Sequence, residues 1–385
     1  MKHLLLKTSL IAFPILLLIG VSSCEKPTVP QPPNPNPTTG KTVHLDELIE
    51  DFEAEIPFGF VGFQYTIAQN GSEEHTNSFG KASLIVDGTE YDYENYHRKS
   101  LQSCSKTITA AAMIFELNKN NVSVHDSIYK YLPERWDTEA VRDITFDELL
   151  RHESGFRGTY DWYGMMRSYV EDSTFASKNY VYANVNFSMM RILIPNINEE
   201  SRANLENLFG THGEDTYEWQ IAQSYLFDVR QNLMIPSGVD PDVAPAPWDT
   251  DVIDKVRHYN FMDQSLSGYL FNDQTMMAGA GGWYMNSYEF AAFLSHLMED
   301  QFVYAQSETL MDREYGMFLG AFNGTDYYTH NGSYTSDDGR GTRALWVYVP
   351  FTKVLLTVQI NSGSNLYSLD EVLQAFMQAH NDSYY

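Results

Sequence analysis

The sequence predicts a two-lobed protein of mixed class (α+β, bordering on α/β). An antiparallel sheet is flanked by N- and C-terminal helices and carries a large, mainly helical lobe inserted between its two halves. Three observations predict this. Hairpin patterns occur near both ends of the chain, an amphipathic helix lies outside each of them, and between Ser103 and about His296 the apolar spacing is helical or irregular. The sheet lobe is expected from about 43–100 and 300–385, and the helical lobe from about 101–299. No internal repeat is evident.

Leu45, Leu48, Ile49 and Phe52 follow an i, i+3, i+4, i+7 pattern, which predicts a helix over Val43–Phe52 with one face on the sheet. Phe63, Tyr65 and Ile67 alternate with Gln64, Thr66 and Ala68, and Asn70-Gly71 supplies a tight turn before a second strand running to about Leu84. Helices are expected at Phe146–Arg151, Asn184–Leu193, Glu218–Leu233 and Ser287–Met298, whereas Gly155–Ser177 and Ile235–Ala278 read as long irregular stretches rich in aromatics. Ala344–Val349 and Val354–Ile360 form a second hairpin across Pro350-Phe351-Thr352-Lys353. The last helix is the best marked, with Ser368 and Glu371 as a capping box and one stripe of Leu369, Val372, Leu373, Phe376 and Met377.

The chemistry is concentrated at Ser103-Cys104-Ser105-Lys106, the start of a stretch that is small or apolar on all sides from Ile108 to Phe115 apart from Thr109. A helix apolar all round belongs in a core. Ser103 and Lys106, three apart, then share one face. A hydroxyl needs a base to become a good nucleophile, and a lysine serves only when neutral, a state that burial and the positive end of a helix both favour. The backbone N–H groups of the same turn are suited to holding an oxyanion. Ser127-Ile128-Tyr129-Lys130 repeats the spacing, but no apolar helix follows it, and Ser127 reads as a turn residue.

The chain has 385 residues, 43% of them hydrophobic, enough for a large core. Lys2 and Lys7 precede an apolar run from Leu10 to Val21 and then Val21-Ser22-Ser23-Cys24. This resembles a bacterial lipoprotein signal (residues 1–23), and the resemblance implies that Cys24 becomes the lipidated first residue and anchors the protein in the bacterial cell envelope; an ordinary secretory signal is the alternative. Residues 24–40 hold six prolines and form an extended tether before the domain at 41–385. Removing Lys2 and Lys7 takes the formal charge from −26 to −28, which disfavours nucleic acid as a partner. Cys104 is then the one cysteine left, so no internal disulfide forms and its expected role is packing. Scattered histidines and the absence of acidic clusters at ligand spacing indicate no metal site, and no cofactor is indicated.

Two further motifs follow the serine motif: Tyr182-Ala183-Asn184, and His330-Asn331-Gly332 shortly before the last hairpin. With them the chain, from about Val43 to His380, resembles the serine β-lactamase and penicillin-binding protein superfamily, in its class C-like branch. Tyr131-Leu132-Pro133, Leu149–Gly155 and Gly281-Gly282 fit as well, whereas Tyr93-Glu94-Asn95 precedes the serine and cannot be the second motif. The resemblance implies Ser103 as nucleophile, Lys106 as its base, and Tyr182 as a proton relay whose pKa the lysine lowers. It further implies that Asn184 orients Lys106 and substrate, and that Gly332 gives access to an oxyanion hole made by the N–H groups of Ser103 and Ser333. His330 departs from the lysine of β-lactamases, so a fixed positive charge for a substrate carboxylate is missing. His152 and Ser154 read as turn-forming structure. The implied activity is that of an envelope-anchored serine hydrolase acting on a peptide or amide related to cell-wall peptides. A carboxylesterase, a weak β-lactamase, and an inactive binding protein using Tyr160, Trp162, Tyr163 and Trp283 remain as alternatives.

Overall fold

The structure, a computed structural model, describes residues 43–56, 59–158, 162–171, 177–240 and 256–383. The leader, Cys24, the proline-rich segment and Tyr160 lie outside the described residues. The predicted class is the one observed. Seven strands form one antiparallel sheet in the order β3-β2-β1-β9-β8-β7-β6. They are β1 (Gly62–Gln69), β2 (Ser72–Ser83), β3 (Tyr91–Asp92), β6 (Phe318–Phe322), β7 (Thr325–Thr335), β8 (Gly341–Val349) and β9 (Val354–Ile360). A short second ladder pairs β4 (Lys99–Ser100) with β5 (Tyr284–Met285). Asn70 and Gly71 both take left-handed backbone (φ 52° and 80°), the geometry that a two-residue hairpin between twisted strands requires.

The central strands are covered on both faces, which explains their nearly continuous burial. On one face Phe63, Tyr65, Ile67, Leu345, Val347, Leu356 and Val358 pack against α1 (Leu45–Glu55) and the C-terminal helix, Leu369–Asp382. The other face carries buried polar residues, and they hold down one helix. That helix, Ser287–Met298, starts on a capping box of Asn286 and Glu289. The Ser287 N–H donates to Gln64 Oε1 (2.9 Å), Thr357 Oγ1 donates to the Ser287 carbonyl (2.8 Å), and Gln359 Nε2 donates to the Met285 carbonyl (2.8 Å).

The inserted lobe is built round α2 (Ser105–Lys119), buried at almost every position as its unbroken apolar run predicts. The lobe also holds α3 (Phe146–Leu150), α4 (Tyr163–Glu171), α5 (Asn184–Ile197), α6 (Glu199–His212) and α7 (Glu214–Val229); the helix on the sheet is α8 (Ser287–Met298), which corrects its expected place in the helical lobe, and α9 (Ser307–Arg313) and the C-terminal α10 (Leu369–Asp382) follow. Trp346 of β8 ties the lobes together, its indole N–H donating to Thr107 Oγ1 on α2 at 3.1 Å.

Several elements differ from expectation. The helix expected at 218–233 begins four residues earlier and ends in a wider turn over Arg230–Met234. α4 occupies part of a stretch expected to be irregular, and α6 and α9 have no clean apolar stripe to announce them. The hairpin of β6 and β7 is unanticipated for a physical reason. It lies at the sheet edge with mostly half-buried or exposed positions, so Thr325–Thr335 shows no apolar alternation.

Candidate active site

Ser103 does not open the helix itself. It sits in a single tight turn, Gln102–Cys104, and α2 begins at Ser105, which corrects the placement of the serine within the first helical turn. Gln102 has left-handed backbone (φ 49°), uncommon for a residue with a Cβ, so the turn must be held from outside. It is: Leu101 N–H donates to the Trp283 carbonyl at 2.8 Å, and Gln102 Nε2 donates to Ser100 Oγ at 2.8 Å. Lys106, fully buried as the second residue of α2, directs Nζ at three acceptors: Ser103 Oγ (3.2 Å), Asn184 Oδ1 (2.9 Å) and the Ala280 carbonyl (2.7 Å). Nζ also lies 5.0 Å from the centre of the Tyr182 ring.

Tyr182 precedes α5, and its phenol is hydrogen-bonded to Ser103. Burial of the hydroxyl pushes its pKa up, only partly offset by Ser103. The expected lowering by the lysine is therefore corrected: removal of the phenol from water dominates, and Tyr182 stays protonated at ordinary pH. Asn184 is the first residue of α5, but the cap position is Ala183 and carries no side-chain cap, so the Asn184 amide is spent on Lys106. His152 goes beyond a turn residue. Its backbone is left-handed (φ 55°), as a turn demands, while its ring is buried and lies 4.5 Å from the Tyr182 ring. Its Nδ1 accepts from Ala183 N–H at 3.2 Å, which fixes the chain on which Tyr182 and Asn184 ride. Burial first, then repulsion from Lys106 and His330 in their protonated forms, holds the imidazole at about 3, so it is neutral.

The third wall is β7. β6 pairs with β7 only up to Thr329, so beyond that residue the outer edge of β7 has no strand partner and the Ser103 turn lies against it. Side chains of a strand alternate, so His330, Gly332 and Tyr334 share the face toward α2. Gly332 has to be glycine. A Cβ there falls 2.8 Å from Ser103 N and 2.9 Å from Gln102 Cβ, and also overlaps the Leu101 carbonyl oxygen. Ser333 follows, exposed. His330 is 2% exposed, its Nδ1 lies 2.6 Å from the Asn331 carbonyl, and its carbonyl accepts from Cys104 Sγ at 3.3 Å. A carbonyl only accepts, so Nδ1 carries the proton. Burial and then the Lys106 charge hold this imidazole at about 3, so it stays neutral across the working range and supplies no positive charge, in line with the missing lysine.

Ser103, Lys106, Tyr182, Asn184, His330 and Gly332 thus converge, with Ser333 at the rim. The Ala280 carbonyl and the His152 ring belong to the same assembly; Gly281-Gly282 and Leu149–Gly155 marked their neighbourhoods without identifying them. Ser127 is elsewhere, its hydroxyl donating to the Arg142 carbonyl. Trp283, Tyr163 and Trp162 do not form a binding face: the first two are fully buried and the third is 65% exposed. Among the described residues no group of three histidine, cysteine or acidic side chains has metal-holding geometry.

An antiparallel sheet with terminal helices on one face and an inserted helical lobe on the other, meeting at a serine beside a lysine and a tyrosine, is the β-lactamase and transpeptidase fold. The chain belongs to the β-lactamase family, whose profile matches residues 49–371. A search of curated proteins finds no match. Among solved structures, D-amino acid amidase from Ochrobactrum anthropi SV3 is 14% identical with a TM-score of 0.64 over 88% of this chain and 99% of that one. The octameric penicillin-binding protein homologue from Pyrococcus abyssi is 16% identical with a TM-score of 0.62 over 87% and 77%. Class C β-lactamase from Rhodobacter sphaeroides is 11% identical with a TM-score of 0.60 over 88% and 99%. Identities this low speak for the fold alone.

Proposed function

We propose that the protein is a serine hydrolase that forms an acyl-enzyme on Ser103, acting on a peptide or amide related to cell-wall peptides in the manner of a DD-peptidase. The observation that carries this reading is the trio of contacts around Lys106 Nζ. A neutral amine has two N–H donors and one lone pair. As an ammonium Lys106 donates to all three; once it is neutral, Asn184 Oδ1 and the Ala280 carbonyl keep the two remaining donors, and the lone pair faces Ser103 Oγ. As Oγ bonds to the substrate carbonyl carbon, its proton passes to Lys106. The oxyanion is met by the N–H groups of Ser103 and Ser333, which Gly332 allows to approach each other. Tyr182, protonated, gives its proton to the departing amine as the C–N bond breaks and is reprotonated from the lysine side. Water then releases the acyl group through the same steps. With Oδ1 of Asn184 committed to Lys106, its NH₂ remains for a substrate carbonyl.

His330, buried and neutral, brings no cation to a substrate carboxylate. This supports amides of neutral character over penicillins, favours cell-wall-related peptides whose scissile bond is not followed by a free carboxylate, and makes a carboxylesterase the second reading. The intact hydrogen bonds around Lys106 count against an inactive binding protein. We also propose, on the residues around Cys24, that the mature protein is held at a bacterial membrane by lipid on that cysteine.

Turnover of D-amino-acid peptides, amides, activated esters and penicillins by wild type and Ser103→Ala tests the reading. Amide or peptide hydrolysis that falls about 10³-fold or more in the variant is expected. Equal turnover by Ser103→Ala removes the reading.

A further inference from the structure

Resting on the hydrolase reading above, we propose that Tyr269, Phe271 and Tyr334 form the subsite for the acyl half of the substrate and select an aromatic or bulky apolar acyl group. The argument starts from the direction of β7. His330, Gly332 and Tyr334 point to one face, and at about 3.3 Å per residue His330 and Tyr334 stand roughly 13 Å apart with the Ser103 turn opposite the middle. The His330 end is the proton-relay end: the Tyr182 ring is 6.3 Å from His330 and 6.4 Å from Phe318. A leaving group must lie where it can be protonated, so it points toward Tyr182. The acyl half, which stays on Ser103, runs the other way along the unpaired edge and meets Tyr334.

At that end the surface is aromatic. Tyr334 is 43% exposed, and its ring packs edge-on to Phe271 (5.3 Å, 73°) and Tyr269 (6.0 Å, 73°). Phe271 and Tyr269 meet edge-on as well, at 5.3 Å and 86°, and His258 backs Phe271 at 4.7 Å. The cluster is fixed from behind. His258 and Tyr269 exchange backbone hydrogen bonds of 3.0 and 3.2 Å, Tyr259 N–H donates to the Asn361 carbonyl, and the Arg340 guanidinium lies 5.4 Å from the Tyr269 ring. Three rings held half-buried beside an open strand edge keep apolar area in water that a substrate ring can cover, and edge-on partners leave ring faces free for stacking. The opposite end of the cleft differs. The cavity of about 110 Å³ beside His330 mixes charged Arg151, Glu153, Arg313 and Glu314 with apolar Leu150, Met317 and Phe318, so that end offers charged and apolar contacts together.

Matched p-nitrophenyl esters of acetate, phenylacetate and 3-phenylpropanoate share one leaving group and isolate the acyl half. The readout is kcat/KM for each ester in wild type, Phe271→Ala, Tyr334→Ala and the double variant, together with the mass of the acylated protein and of Ser103→Ala. The proposal expects wild type to favour the aryl esters over acetate by about 10-fold or more, and the double variant to lose about 10-fold of that preference, read as the ratio of aryl to acetate kcat/KM within each protein. Tyr334→Phe should keep the preference. If Ser103 is acylated but the preference is absent or survives the double variant, the subsite is overturned and the hydrolase reading stands. If no ester acylates Ser103, both fall together.

Discussion

Lys99 gives the sharpest test of the electrostatics around the nucleophile turn. It lies on β4, four residues before Ser103, is 1% exposed, and donates from Nζ to Thr342 Oγ1 (2.6 Å) and the Arg343 carbonyl (2.8 Å). These acceptors are neutral, and burial takes its pKa from 10.5 down to about 7, with Cys104 opposing only slightly. Between about pH 7 and 10.5 the unfolded chain holds a proton on Lys99 that the folded protein lacks, so stability rises with pH through this window. Below it both states are protonated and the cost of burying the ammonium is felt in full. The shift of about 3.5 units corresponds to about 5 kcal/mol across the whole window. The two titratable groups that face Lys99 do not blur the reading. The Cys104 thiol is pushed up by burial, and the His258 imidazole is held at about 3 by burial and by Lys99, so both stay neutral. Lys99→Met removes the titration and leaves two acceptors unpaired, at a pH-independent cost of about 1–3 kcal/mol each. The assay is urea unfolding of wild type and Lys99→Met at half-unit steps from pH 6.5 to 9.5. The stability of the variant relative to wild type should fall by about 3 kcal/mol over that range. A difference that does not change with pH refutes the reasoning, because Lys99 then keeps an ordinary pKa.

Three other expectations follow from the same geometry. Gly332→Ala forces the Ser103 turn away from β7, and a displacement of about 1 Å costs about 100-fold in kcat, read from steady-state rates beside a thermal melt; unchanged activity means the close approach is not needed. His330 stays neutral to about pH 3, so the ratio of rates for carboxylate-bearing and neutral substrates should be flat from pH 5.5 to 8 in wild type. His330→Lys should raise that ratio at every pH, and a wild-type ratio that climbs toward acid shows instead that the imidazole titrates. Cys24→Ser should move the protein from the membrane fraction to the soluble one or block its processing; wild type recovered soluble and starting elsewhere removes the lipid-anchor proposal.

Much of the site is legible in the sequence because its parts sit where short-range rules apply. Ser103 and Lys106 are a turn apart at the head of an apolar helix, Tyr182 and Asn184 bracket a helix start, and the three motifs come in an order that marks the family. What is not legible depends on distant packing. β7 carries His330, Gly332 and Ser333, but as a polar edge strand it has no periodic signature until β8 pairs with it. The pKa directions also escape local reasoning. A lysine beside Tyr182 suggests a lowered phenol, yet burial, visible only in the fold, raises it, and burial likewise keeps His330 neutral. Lys99, between Arg98 and Ser100, carries no local sign of burial; only the tertiary structure places it under β8. His152 looked like turn chemistry, and the turn is real, but the platform it offers Tyr182 arises from the α3–α5 junction.

The acyl-enzyme on Ser103 is the central claim, and intact-protein mass spectrometry with peptide mapping tests it most directly. Wild type quenched seconds after mixing with an activated ester, a D-amino-acid amide or a penicillin should gain the mass of the acyl group on the peptide carrying Ser103, slowly if at all with penicillin, and Ser103→Ala should gain none. An adduct of equal yield in Ser103→Ala, or one mapped to Ser127 or any other residue, contradicts the account.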